Sequence, residues 1–203
     1  MAKVLYDIFE KAWKKTNSSS IWLISDTHFG DTELSQKGLR DITPEEQVKR
    51  INSKVGKNDT IICLGDVGDP SYFKQIRGYK ILIQGNHDKG KTVYEEYFDE
   101  VYDGELIISS KIKLTHLPIL SPYILDIHGH CHPYKKPDFT GLSYDKIIEK
   151  QLEKAKKSEL PALNLCADYL DFYPINLNVI VKSGLLKLVK NPVRELIDSK
   201  DKK

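Results

Sequence analysis

Three short apolar runs in this chain each end on a polar block that carries a carboxylate, an imidazole or both. Ile21-Trp22-Leu23-Ile24 leads into Asp26-Thr27-His28, residues 60–64 lead into Gly65-Asp66, and residues 79–84 lead into Gly85-Asn86-His87-Asp88. Apolar runs of this length, without polar alternation, suit strands covered on both faces. A polar cluster at the end of such a strand costs free energy unless something organises it. Two further blocks follow in the β-rich second half: His116 after a run ending at Leu114 and Thr115, and Gly129-His130-Cys131-His132. All six histidines fall between residues 28 and 132.

Helical signals lie between these runs. Val4, Leu5, Ile8, Phe9, Ala12 and Trp13 recur at helical spacing, so residues 1–15 are expected to form an amphipathic helix, broken by the cap and turn residues 16–20. Thr43-Pro44-Glu45-Glu46 is a helix start with a cap, a proline at the first position and an acid three residues on, ahead of Val48, Ile51 and Val55. A short helix or turn is expected at 71–77, a helix at 92–98 and a charged helix at 144–157. Strands are expected at 106–108 and 112–114 (a hairpin), 123–127, 162–166, 174–181 and 185–189, the last two joined by Lys182-Ser183-Gly184. Alternating strands and helices through residue 100 argue an α/β fold. The expected organisation is an N-terminal helix and linker over 1–20, one domain over 21–190 and a Lys-rich tail over 191–203.

Composition excludes several classes. Lys+Arg 31 against Asp+Glu 29 leaves a net charge of +2, with no gross basic field to draw nucleic acid. No run approaches the ~20 apolar residues that span a bilayer, and the lysine-broken start is no secretory signal. Three cysteines with no CxxC pair suit a reducing interior, so a cytoplasmic protein is expected.

Asp and His two apart on an extended chain point the same way, so Asp26 with His28, and His130 with His132, are each expected to converge on one spot. Oxygen and imidazole donors at strand C-terminal ends suit a divalent-metal site in the place where open α/β sheets bind ligands. The ordered blocks D-x-H, G-D, G-N-H-D, H and G-H-x-H resemble those of the calcineurin-like metallophosphoesterase superfamily over residues 21–181, nearest to its small single-domain bacterial and phage members. The resemblance implies a four-layer α/β/β/α sandwich of two facing mixed sheets. It implies one metal on Asp26, His28, Asp66 and His132, and a second on Asp66, Asn86, His116 and His130, with Asp66 shared. Manganese is the first expectation, with iron, zinc and nickel as alternatives. The reaction implied is phosphoester hydrolysis by a metal-bridging hydroxide, with His87 as general acid outside the metal sphere. A phosphodiester is the expected substrate, and phosphomonoester or nucleotide hydrolysis is the alternative on the same residues.

Other positions carry weaker expectations. Asp69 matches a second aspartate that orients the G-N-H histidine in the protein-phosphatase branch, although Pro70-Ser71 stands where that branch has Arg-Gly. Arg40 and His128 are candidate substrate contacts, Cys131 a small filler between two ligands, and Asn164 and Asp168 support around the site. Segments 29–43 and 133–143 are expected to wall it. The N-terminal helix is a candidate surface for a second copy of the chain. A non-catalytic scaffold of the same fold would lack a ligand or the general acid, and neither is lacking here.

Gly85-Asn86-His87-Asp88-Lys89-Gly90-Lys91-Thr92 also satisfies the phosphate-loop pattern GxxxxGK[ST]. That reading places bulky polar residues where backbone amides must wrap a phosphate, and leaves the remaining histidine blocks unexplained. Lys91→Ala is therefore expected to leave metal-dependent phosphoester hydrolysis nearly unchanged. Selective loss of ATP turnover in that variant would establish the phosphate loop instead.

Overall fold

The computed structural model describes residues 3–4 and 20–191. Two five-stranded sheets form its centre. The first carries β10 (Ile175–Asn176), β2 (Ile21–Ile24), β3 (Thr60–Cys63), β4 (Tyr79–Ile83) and β5 (Glu100–Tyr102) in that order. Strands β2 to β5 run parallel and β10 is antiparallel at the edge. The second sheet is ordered β1 (Lys3–Val4), β6 (Leu106–Ser109), β7 (Ile112–Leu114), β8 (Leu125–His128) and β9 (Ala162–Asn164), parallel except between β6 and β7. Both sheets are mixed, as expected.

The uniform apolar runs have a direct cause. Along β2, β3 and β4 successive side chains enter two different cores. Leu23, Ile62, Ile81 and Ile83 pack with Leu114, Leu125, Ile127 and Leu163 of the facing sheet. Ile24, Ile61, Cys63 and Leu82 face the other way, onto Val48, Ile51 and Val55. Val48 and Ile51 belong to helix α2 (Pro44–Asn52), which starts as its sequence dictates: the Thr43 hydroxyl accepts the Glu46 amide, and Pro44 occupies the first turn. Helix α1 (Thr32–Gln36), capped by Asp31, forms inside the segment expected to be a wall loop. Helix α3 (Tyr144–Lys156) contributes Ile148, Leu152 and Ala155 to the inter-sheet core. Among the described residues, no helix is long and apolar enough to cross a membrane.

Several local expectations change. The strand expected over 174–181 shortens to β10 and continues as helix α4 (Leu177–Lys182). β-branched Val179, Ile180 and Val181 favour a strand locally, but the Asn176 side chain caps the helix and a helical turn buries Leu177 and Ile180 together. Leu185–Lys187 is a 3₁₀ turn, not a strand. The helix expected at 92–98 does not form: a three-residue 3₁₀ turn, Lys91–Val93, with no side-chain cap at Gly90, is followed by turns. Lys3–Val4 pair as strand β1 with β6. The rest of the expected N-terminal helix, and any association of two copies through it, lie outside the described residues.

Beyond the strand ends the backbone stays zipped. Asp26 N–H donates to Gly65 C=O at 2.9 Å, and His28 N–H to Asp66 C=O at 3.0 Å. Ser25 forms a parallel bridge with Cys166, which ties the two sheets together beside β8. Gly129 sits at this junction: a β-carbon there would lie 1.9 Å from Ser25 Oγ and 2.5 Å from Asp26 Oδ2. Gly129→Ala is expected to cost about 1–3 kcal/mol through overpacking. The check is a lower urea midpoint at unchanged m-value, measured with chelator present so that metal binding does not contribute.

Candidate metal centre

The polar blocks meet at one end of the two sheets. Asp26, His28 and His132 bring a carboxylate oxygen and two ring nitrogens within 4.8 Å of one another, and Asp66, His116 and His130 do the same beside them. Asp66 Oδ2 lies between the groups, 3.7 Å from His28 Nε2 and 3.3 Å from His116 Nε2. Its Oδ1 is held elsewhere, accepting the His87 amide at 2.9 Å. Asn86 completes the second group, with its side-chain oxygen 2.8 Å from His116 Nε2.

The convergence does not arise from extended chain. Asp26, His28, Asp66 and His130 all have left-handed backbone, at φ 56°, 40°, 53° and 67°. Non-glycine residues hold this conformation only where the surroundings over-determine it, and such residues cluster at functional sites. After β8 the chain turns tightly, with Cys131 N–H bonded to Gly129 C=O and His132 N–H to His130 C=O. His130 and His132 therefore enter different groups, where an extended segment would have sent both to one.

Donor chemistry indicates what this arrangement suits. His116 Nδ1 is 2.7 Å from Leu64 C=O, an acceptor only, so that nitrogen carries the hydrogen. In the neutral ring Nε2 is then a lone pair facing two more acceptors, Asn86 Oδ1 and Asp66 Oδ2. His132 repeats the pattern: Nδ1 donates to Asp168 Oδ2 at 2.8 Å, and Nε2 faces Asp26 Oδ1 at 3.5 Å. His28 Nε2 is buried with no hydrogen-bond partner among the described residues. Burial, reinforced by the Arg40 charge, lowers the His28 pKa to about 4, so this ring is neutral at physiological pH. Burial raises the pKa of Asp26. Although burial opposes the shift, the bonds to Asp66 and Asp168 raise the pKa of His116 and His132, so the cluster draws in positive charge, whether protons or cations. With the rings neutral, lone pairs and carboxylates converge, and the residues fit two divalent ions.

Three expected contacts move. Arg40 is buried at 4% exposure, and its guanidinium binds Asp168 at 3.0 and 2.8 Å and the backbone oxygens of Thr27 and Asp26 at 2.6 and 2.9 Å. With its donors committed beneath the strand end, it is a support for the site, not a substrate contact. His128 is also buried, with Nδ1 2.8 Å from Gly129 C=O. Asp69 does not orient His87: it is exposed and caps the 3₁₀ helix Pro70–Gln75 through the Ser71 amide, a local bond that outcompetes a distant one. His87 itself is exposed at the open side, its ring 5.8 Å from that of His28. Cys131 is exposed and fills no gap. Asn164 does support the site, donating to Cys131 C=O and accepting the Cys166 amide.

Asp88 is the residue whose role the sequence did not disclose. Its Oδ2 accepts the amides of Asp66 and Gly85 at 2.9 and 2.7 Å, and its Oδ1 the Val67 amide and the Tyr94 hydroxyl. Within the Gly85–Thr92 stretch, the Gly85 amide is thus bound to Asp88 and the His87 amide to Asp66, so two amides of the would-be phosphate loop are already committed to carboxylates.

Comparison with known proteins agrees with this geometry. Residues 19–184 match the model of the calcineurin-like phosphoesterase family. The chain is 37% identical over 83 residues to the Gene 66 protein of Mycobacterium phage L5, an alignment spanning 34% of this chain and 40% of the phage protein. The chain thus spans well under half the length of that curated relative. The crystal structure of AQ665, a protein of unknown function from Aquifex aeolicus, superposes with a TM-score of 0.59 at 25% identity, covering 81% of this chain and 99% of that one.

Asp168 fixes the tautomer and direction of His132 while Arg40 fixes Asp168. Asp168→Ala is expected to weaken the Asp26–His28–His132 ion about 10–100-fold, the usual effect of removing such a partner. Calorimetric titration should then show one tight and one weakened metal instead of two tight ones.

Proposed function

Because the chain belongs to the calcineurin-like phosphoesterase family, we propose that it is a phosphodiesterase working with two divalent ions, manganese foremost, held by Asp26, His28, Asp66 and His132 and by Asp66, Asn86, His116 and His130. The observation that carries this reading is the position of Asp66 Oδ2 between His28 and His116, where one carboxylate oxygen can serve both ions. Bound divalent ions supply charge neutralisation at phosphate oxygens and a lowered pKa for water.

The chain's own residues supply the rest. His116 and His132 present fixed lone pairs because Leu64 C=O and Asp168 hold their other nitrogens. His87 stands at the open side with its backbone anchored to Asp66 and its ring exposed, so it can reach an ester oxygen without ligating metal. A diester is favoured over a monoester because the one arginine at the site, Arg40, is consumed beneath it. A singly charged diester needs less added positive charge than a dianionic monoester.

His87→Ala should retain both metals and lower kcat by about 10²–10⁴-fold for esters with poor alkoxide leaving groups, with a smaller loss for nitrophenolate esters. Stripping metal by chelation should abolish both activities, and added Mn²⁺ should restore them. A stripped sample running at full rate would overturn the metal-dependent reading. Loss of metal in His87→Ala would make His87 a ligand.

A further inference from the structure

A cavity of about 360 Å³ lies beside the candidate metal centre and shares Asn86 and His116 with it. That volume falls within the ~300–1,000 Å³ of small-molecule sites. Leu117 and Ile119 line it, and each is about half exposed, at 48% and 51%. Asp103 and Glu105 line its acidic side, and no lysine or arginine is among its lining residues. Glu105 pairs with buried Lys113 at 3.6 Å, which leaves Asp103 as the carboxylate on an exposed residue.

The exposure of the two apolar side chains is built in. Buried Asp126, on β8, accepts the Thr115 hydroxyl at 2.8 Å and the Ile119 amide at 2.6 Å, clamping the loop at both ends around His116. These two bonds fix the backbone that carries Leu117 and Ile119, whose side chains stand half exposed. Two apolar side chains half exposed at the rim of a polar cavity offer a surface for an apolar ligand group.

We infer that this cavity is the subsite for one ester group of the substrate, and that it selects an uncharged apolar or aromatic group over one carrying a second phosphate or carboxylate. The inference rests on the phosphoesterase reading above and narrows its substrate class. Position carries it: a phosphate over Asn86 and His116 directs one substituent along Leu117 and Ile119. Charge carries the rest, because a second anion there would meet Asp103 with no cation among the lining residues to compensate. Polyphosphates and nucleic-acid backbones, which carry a negative charge on each neighbouring phosphate, are poor fits to such a wall.

The test measures binding of three non-hydrolysable, singly charged diester analogues to the Mn²⁺-loaded full chain by calorimetry: dimethylphosphinate, methyl(phenyl)phosphinate and (4-carboxyphenyl)methylphosphinate. The phenyl probe is expected to bind about tenfold tighter than the dimethyl probe, from burial of the ring's apolar surface. The carboxyphenyl probe should lose most of that gain and recover it in Asp103→Asn. Leu117→Ser combined with Ile119→Ser should erase the phenyl advantage while metal stoichiometry and dimethylphosphinate affinity stay the same. Ile119→Ser alone, at a half-exposed position that tolerates a polar residue, should give an intermediate ratio. Equal affinities for phenyl and methyl probes in the parent chain, or a ratio that survives both variants, would overturn the subsite. Failure of all three phosphinates to bind the metal-loaded chain would overturn the phosphoesterase reading beneath it.

Discussion

A carboxylate can address two cations with one oxygen only if its other oxygen and its backbone are held in place by something else. Asp66 meets that condition through its neighbours: Oδ1 takes the His87 amide, and Asp88 takes the Asp66 amide. The backbone of Asp66 is left-handed, and Gly85 lies so close that a β-carbon there would sit 2.2 Å from Asp66 Oδ1. The G-D and G-N-H-D blocks are therefore one structural unit, with the Asp88 carboxylate as its internal anion. The parallel pairing of β3 with β4 sets the two loops side by side, and the pairing of β2 with β3 adds the Asp26 loop.

The site as a whole carries strain. Its four left-handed residues, Asp26, His28, Asp66 and His130, cost on the order of 1–3 kcal/mol each. The strain is sustained because the strands beneath are covered on both sides, by the inter-sheet core and by the core under α2. Burial of a single Leu or Ile side chain contributes ~1.5–3 kcal/mol, so a few of the many core residues offset it. The same reasoning explains why the site lies at strand ends: only there does a rigid scaffold give way to backbone free to leave the extended conformation.

The strands and the identity of the site blocks were legible in the sequence because both are local. Ile21-Trp22-Leu23-Ile24 reads as a strand buried on two faces and is one; each of the seven ligand candidates arrives at the centre. The route was misread for Asp26 and His28, since convergence came from left-handed turns and not from the period of an extended strand. Arg40 was misread for another reason: its partner Asp168 is 128 residues away, and no local pattern distinguishes a buried guanidinium from one that greets substrate. Asp69 and Asp88 differ in the opposite sense. Both sit in a family-like block, yet one caps its own short helix and the other braces three amides, a distinction visible only once the loops are stacked. In α4 the local preference of Val179, Ile180 and Val181 lost to the burial of Leu177 and Ile180 on one helical face.

Arg40 also sets the charge logic of the open face. Its guanidinium neutralises Asp168, and burial, though it pushes the carboxyl the other way, is outweighed by the bonds from His132 and Arg40, so Asp168 titrates well below the usual carboxylate range. An ionised Asp168 keeps the His132 hydrogen on Nδ1 and the lone pair on Nε2, turned toward Asp26. Besides its bonds to the Asp26 and Thr27 carbonyls, the arginine thus acts on the site through two intermediaries. On the reading proposed above, positive charge for a bound phosphate then comes from the ions and the general acid His87, while the cavity beyond Asn86 and His116 is lined by carboxylates, neutral polar groups and apolar side chains, with no lysine or arginine. On that reading the cavity offers no cation to a second phosphate. The proposed selectivity is therefore a consequence of where Arg40 is committed, and of the clamp on Asp126 that fixes the backbone carrying Leu117 and Ile119.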